Sequence, residues 1–188
     1  MELPNETENL FIEERSFETG SWISNPANNF YLYSEGYKLA GDLVYNEMKN
    51  NSKNNNLLIY PLVFNYRQHI ELCLKKLINL GYEKLKINKV FLEVHNLERL
   101  WLQLKNDILI HLPNEIEKTY IDNVERILIE FNTIDNACAF RFPIKTKKDK
   151  YGKSLEIDTV DFENFKTVID KINYYLDVQY EIIDRIEL

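Results

Sequence analysis

Tyr60-Pro-Leu-Val-Phe-Asn-Tyr66-Arg67-Gln-His69-Ile-Glu71-Leu-Cys73-Leu-Lys75-Lys76-Leu-Ile78 is the stretch on which the reading of this chain turns. Tyr66, Ile70, Cys73, Leu74 and Leu77 recur at helical spacing and make an apolar stripe. Arg67, Glu71 and Lys75 follow one another at four-residue intervals on an adjoining face, the spacing of intrahelical ion pairs. Charged side chains are seldom buried unless paired, so this helix either faces a polar cleft or holds an internal ion-pair network. One loop later, His95-Asn-Leu-Glu-Arg99-Leu-Trp101 opens another helix. Asn96 is suited to cap it, and Leu97, Leu100, Trp101 and Leu104 give its apolar face.

On either side the pattern is also helical. A first helix is expected from about residue 29 to residue 49, with Phe30, Tyr33, Tyr37, Ala40, Leu43, Val44 and Met48 on its inner face. Gly36 and Gly41 weaken it or admit a close neighbour. The polar run from Asn50 to Asn56 links it to the central helix, expected over residues 57–80 and stopped by Gly81 in a left-handed conformation. Pro61 falls in the first turns, where its missing N–H costs little. After the third helix, Pro113 and Asn114 mark the start of a fourth, with Ile116, Tyr120, Val124, Ile127, Leu128 and Phe131 inward. Alternation then replaces helical spacing. Residues 138–158 read as a β-hairpin with a lysine-rich tip, Pro143 suiting an edge strand. Asp161 caps a final helix.

The expected fold is mainly α: a bundle of about five helices with one β-hairpin insert near residues 138–158. Residues 1–27 form an acidic arm, Glu2, Glu6, Glu8, Glu13, Glu14 and Glu18 against Arg15, and residues 28–188 a single domain. The arm lacks the apolar core of a signal peptide, and no run of about 18 apolar residues suggests a membrane span. Cys73 and Cys138 form no CxxC pair, and Cys73 reads as a small core residue. A cytoplasmic protein with reduced thiols is the expectation.

The net charge of −7 argues against broad, sequence-neutral binding of nucleic acid, while leaving room for a local basic site. The phosphate-loop, dinucleotide, HExxH and GxSxG patterns are absent, which disfavours nucleotide-triphosphate hydrolysis, zinc hydrolysis and serine-nucleophile chemistry. Three scattered histidines and two separate cysteines do not suggest a metal site, and no cofactor is expected.

Tyr66–Ile78 followed by His95–Trp101 resembles the helical pair of HEPN domains ("higher eukaryotes and prokaryotes nucleotide-binding"), helical bundles of microbial conflict systems. The resemblance spans about residues 29–132, with the last helix as a fifth member. Phe140-Arg141-Phe142-Pro143 resembles an insert in phage-defence and prophage proteins of that group. Many HEPN members are metal-independent RNases whose arginine and histidine lie four to six residues apart on a late helix. Here the histidines are His69, His95 and His111. Arg67 and His69 are two residues apart, on different helical faces, and no histidine follows Arg126. The resemblance therefore implies a non-catalytic member in a phage-defence or toxin–antitoxin setting, binding RNA, a nucleotide or a protein partner. A homodimer is expected.

Two alternatives stay open. One is a metal-independent endoribonuclease with an atypical site, its candidates being Arg67, His69 and His95. The other is a plain protein–protein interaction module whose aromatic surplus marks an interface. The candidate ligand-binding residues are Arg67, Glu71, Arg141, Lys147, Lys148, Lys150 and Tyr151. Arginine favours bidentate phosphate recognition, and a tyrosine among lysines suits stacking on a base. His69 is expected to be partly exposed, and His95 to be a structural hydrogen-bond partner, with Glu71 as the acceptor.

Overall fold

The computed structural model describes residues 29–112, 118–147 and 150–187 continuously, with positions 3, 7, 10, 11, 18, 21 and 23 of the arm. The helix boundary at Pro113–Asn114, and Ile116 and Lys148, lie outside the described residues. Among the described residues the fold is five α-helices and one two-stranded antiparallel hairpin, as the patterning predicts.

Helix α1 (Phe30–Asn50) opens where Asn29 Oδ1 accepts from the Leu32 N–H at 3.3 Å. A single 3-10 turn, Ser52–Asn54, leads directly into α2 (Asn55–Lys84), so the polar linker is shorter than expected. Helix α2 is the axis of the bundle. It packs along α1 on one side and against α3 (Leu97–Asp107) and α5 (Phe162–Asp184) on others. Its Leu62, Tyr66, Ile70, Leu74, Leu77 and Ile78 are wholly buried. Helix α4 (Lys118–Ile134) packs on α3. The caps follow the sequence: Asn96 Oδ1 accepts from Arg99 N–H at 2.8 Å, and Asp161 Oδ1 from Glu163 and Asn164 N–H at 3.1 and 3.0 Å.

Four expectations need correction. Gly81 does not stop α2. It lies inside the helix, where a Cβ would meet Ile108 Cδ1 at 2.5 Å, and the chain turns instead through Lys86 at φ 52°. Pro61 is the seventh residue of α2 rather than an early one, so the Leu57 carbonyl lacks its usual helical donor, at an exposed residue. Of the inner face expected for α1, Met48 is buried and Val44 packs against the core, but Tyr33 and Leu43 face outward, and Ser34 and Gly41 are buried. Gly41 is needed because the Tyr66 ring lies 3.0 Å from where its Cβ would stand. On α4, Tyr120 is exposed, while Val124, Leu128 and Phe131 are buried and Ile127 packs against the core as expected.

The hairpin is also shorter than residues 138–158. Strands β1 (Ile144–Lys147) and β2 (Lys150–Lys153) pair Lys145 with Gly152, Thr146 with Tyr151 and Lys147 with Lys150. Residues 138–142 are a tight turn, in which Cys138 O accepts from the N–H groups of Arg141 and Phe142 at 3.0 and 2.9 Å. The turn puts Phe140 into the core, beside Tyr60 of α2.

Candidate functional site

The Arg67–Glu71–Lys75 ladder is an internal ion-pair network, not the lining of a polar cleft. Glu71 is its centre. One carboxylate oxygen, Oε2, accepts from Arg67 Nη1 at 3.2 Å. The other, Oε1, accepts from Lys75 Nζ at 2.7 Å and from His95 Nδ1 at 2.9 Å. Arg67 continues outward from α2. Its Nη2 donates to the His95 carbonyl and its Nε to the Asp135 carbonyl at 3.4 Å. The guanidinium is 0% exposed. Burial pulls its pKa down, and the charges of Glu71 and Asp135 act against that. Lys75 Nζ also lies 5.7 Å from the centre of the Phe91 ring, a cation–π contact at the edge of the network.

The network's partners come from three places in the chain. Helix α2 supplies the ladder, the residue before the α3 cap supplies His95, and the end of α4 supplies Asp135. Asp135 was not singled out in the sequence. It lies in an ordinary polar stretch, Asn132-Thr-Ile-Asp-Asn136, whose sole signal is its position at a helix end. Its side chain accepts from the Ala139 N–H at 2.7 Å, so the acid shapes the turn while its carbonyl holds Arg67. Asn132 Oδ1 accepts from the Leu97 N–H at 3.1 Å and thereby satisfies a free donor of the first turn of α3.

This arrangement presents one imidazole. The His95 contact with Glu71 is present, and the His95 side chain is nevertheless 72% exposed. A carboxylate only accepts, so Nδ1 carries the proton. In the neutral ring Nε2 then holds a lone pair. A buried carboxylate that fixes the tautomer of an exposed imidazole can support proton transfer at Nε2.

The structure keeps Arg67 and His69 apart. Arg67 points to the α3–α4 side, whereas His69 points between α1 and α5. His69 is buried rather than partly exposed. Its ring lies 2.9 Å from the Ser34 carbonyl and 3.1 Å from Asn173 Oδ1. The carbonyl requires Nδ1–H, so Nε2 of the neutral ring needs a donor. Turning the Asn173 amide supplies one and gives Asn173 Nδ2 the partner it otherwise lacks among the described residues. Burial also lowers the His69 pKa, consistent with a neutral ring. Its neighbour Cys73 is buried, and burial pushes the thiol up to about 11. His69 is thus a core residue joining three helices.

The remaining candidates lie on the hairpin side. Arg141 is exposed and stacks its guanidinium 4.6 Å from the Phe142 ring centre. Tyr151 on β2 is 78% exposed. Lys145 pairs with Glu156 at 2.9 Å in a solvated contact. Lys147 and Lys150 are partners in the backbone register of the two strands. Among the described residues no cluster of three or more His, Cys, Asp or Glu side chains is placed to hold a metal ion. Among the described residues no helix is long and apolar enough to cross a membrane.

Compared with protein-family models, curated proteins and solved structures, the chain matches none of them.

Proposed function

We propose that this chain is a HEPN-like protein of a microbial conflict system that binds single-stranded RNA through the face of its hairpin, without cleaving it. The supporting observation is Tyr151, 78% exposed on a strand whose other members include Lys150 and Lys153. Stacking on an aromatic ring is tolerant of base identity, and flanking lysines add phosphate attraction. The buried Arg67 and Glu71 then serve the fold rather than the ligand. The test is fluorescence anisotropy with a short labelled oligouridylate at two salt concentrations. Binding should weaken steeply with salt, and Tyr151→Ala should cost about 1–3 kcal/mol, the usual worth of one stacked base. Lys153→Ala, two residues on from Tyr151 and on the same face of the strand, should reduce the salt slope by roughly 0.7 for the lost phosphate contact. Salt-insensitive binding, or none, sinks this reading in favour of a protein-interaction module.

A second reading has its own observation, the Glu71–His95 contact at 2.9 Å. In it the chain is a metal-independent endoribonuclease. His95 Nε2 takes the proton of a ribose 2′-hydroxyl, the 2′-oxygen attacks phosphorus, the P–O5′ bond breaks, and a proton passes to O5′. The product is a 2′,3′-cyclic phosphate. Incubation with labelled RNA in chelator decides it. Cleavage that His95→Ala abolishes, by about 10²-fold or more, supports the enzyme. Intact RNA with folded protein removes it.

A further inference from the structure

We propose that the groove between α4 and α5 binds an unbranched alkyl carboxylate, such as a medium-chain fatty acid. The chain lies in an apolar hollow at the Phe131 end, and the carboxylate is held between Arg126, Lys171 and the Tyr175 hydroxyl. The inference is independent of the RNA reading, because the hairpin strands take no part in it.

Across the groove the end of α4 faces the start of α5, and the start of α4 faces the second half of α5, so the two helices run antiparallel. They meet through Phe131 and Phe165, whose ring centres lie 5.8 Å apart. Beside that contact is a hollow of about 430 Å³, within the size range of small-molecule sites. Val63, Phe131, Phe140, Phe165, Val168 and Ile169 line it. Such walls ask only for apolar contact, which suits a plain hydrocarbon chain. The acids that also line it are engaged: Asp161 caps α5, and Glu130 lies 3.4 Å from Arg126.

Arg126 and Ile127 line both this hollow and the wider groove beside it, which continues past Lys171, Tyr174 and Tyr175. From Phe165 to Tyr174 the two lie along about 13 Å of α5, which an extended decanoate chain spans. Three observations set the head group in the wider part. Lys171 has no ion-pair partner among the described residues. Arg126 shares only a solvated contact with Glu130, the two side chains being 66% and 62% exposed, so its guanidinium is free to turn to a carboxylate. Asp170, the acid of this part, has both carboxylate oxygens 2.6 Å from Lys166 Nζ and so does not compete for them. Tyr175 is the third observation. It is 8% exposed, and its hydroxyl is shielded from water with no partner among the described residues. Buried polar groups are rarely left so. Burial pushes its pKa up, so the hydroxyl stays a donor. A carboxylate only accepts, and an acceptor is what the hydroxyl lacks.

The test is isothermal titration calorimetry of the full chain with octanoate, decanoate and octanol. Decanoate should saturate one site and bind about 15-fold more tightly than octanoate, since each buried methylene is worth about fourfold. Octanol, with the octanoate chain length and no charge, should bind at least tenfold more weakly than octanoate. Arg126→Gln and Lys171→Gln, both at exposed positions, should each weaken decanoate binding about fivefold or more. Val168→Phe, which narrows the hollow, should weaken it at least tenfold. Tyr175→Phe separates a ligand contact from a packing role. It should weaken binding about fivefold, while the free protein melts no lower than the native chain, having lost an unpartnered hydroxyl. Thermal melts of all the variants control for the fold. Three results overturn the proposal: no saturable binding of decanoate, octanol that binds as tightly as octanoate, or folded head-group and hollow variants that bind as the native chain does.

Discussion

Replacing Glu71 by leucine is the most demanding test of the network. The substitution leaves Arg67 with a side chain that is 0% exposed and Lys75 with one that is 10% exposed, and it removes the carboxylate both contact. Breaking a buried ion pair from one side costs about 3–5 kcal/mol, because the surviving charge stays desolvated. For a domain of this size each kcal/mol lowers the melting temperature by about 2–4 °C, so a fall of roughly 10 °C or more is expected. Arg67→Met should cost somewhat less, about 2–4 kcal/mol. Glu71 would keep Lys75 and His95, while the His95 and Asp135 carbonyls would lose donors. The double change Arg67→Met with Glu71→Leu is the informative one. It removes both buried charges and leaves Lys75, whose flexible stem can carry the ammonium to water. Its cost should fall short of the summed single costs by about 2 kcal/mol. Urea unfolding of the four proteins gives the cycle. A coupling below about 0.5 kcal/mol, or a Glu71→Leu cost below about 1 kcal/mol, would refute the reasoning.

Stability should fall as pH drops below about 6.5, by at most about 1.4 kcal/mol per pH unit for this one group. The unfolded chain then binds a proton at His69 that the native chain, with its lowered pKa, does not bind until lower pH. Urea midpoints from pH 8 to 5.5 should show a shallower slope for His69→Gln, and parallel slopes would refute the assignment. In a thiol titration with a disulfide reagent, exposed Cys138 should react in the native chain and buried Cys73 only after denaturation. Two native equivalents would contradict the burial. Gly81→Ala should destabilise by about 1–3 kcal/mol. Cδ1, Cγ1 and Cγ2 of Ile108 lie 2.5, 2.7 and 2.7 Å from the new Cβ, so the packed side chain or the helix must shift to admit it. Gly36→Ala, into open space, should stabilise by up to about 1 kcal/mol, and thermal melts of the two variants check the opposite signs.

What was legible in the sequence was whatever depends on residues near one another in the chain. The i,i+4 ladder of Arg67, Glu71 and Lys75 forms as its spacing dictates. The caps at Asn96 and Asp161 are local devices and fall where expected. Depth of burial was not legible, because it is set by distant partners. Helix α2 is enclosed on almost every side, so its apolar stripe does not mark an outside, and His69 reads as exposed although α1 and α5 cover it. For α1 the opposite ambiguity applied. It has two apolar faces, and the one with Leu39 and Leu43 is left outside while Val44 and Met48 face the core. Gly81 has the local signature of a helix stop, and only the approach of Ile108 explains it as a packing glycine. Asp135 acts through its carbonyl toward Arg67, and any residue type offers a carbonyl, so its identity carried no signal for that contact.

The polar interactions around the start of α3 converge on a short segment. Arg67 holds the His95 carbonyl, Glu71 holds the His95 ring, Asn132 takes the Leu97 N–H and Asn96 takes the Arg99 N–H. Apolar side chains in place of the central ion pair recover part of the stability that either single change removes, because neither buried charge is then left without its partner. They could not orient an imidazole. Stability and orientation therefore come apart in the Arg67→Met, Glu71→Leu double variant. A chain that stays folded while nuclease activity or RNA binding falls would show that the network serves the placement of His95. A chain that keeps its function would confine the network to joining α2, α3 and α4, and would leave the hairpin face to carry RNA alone.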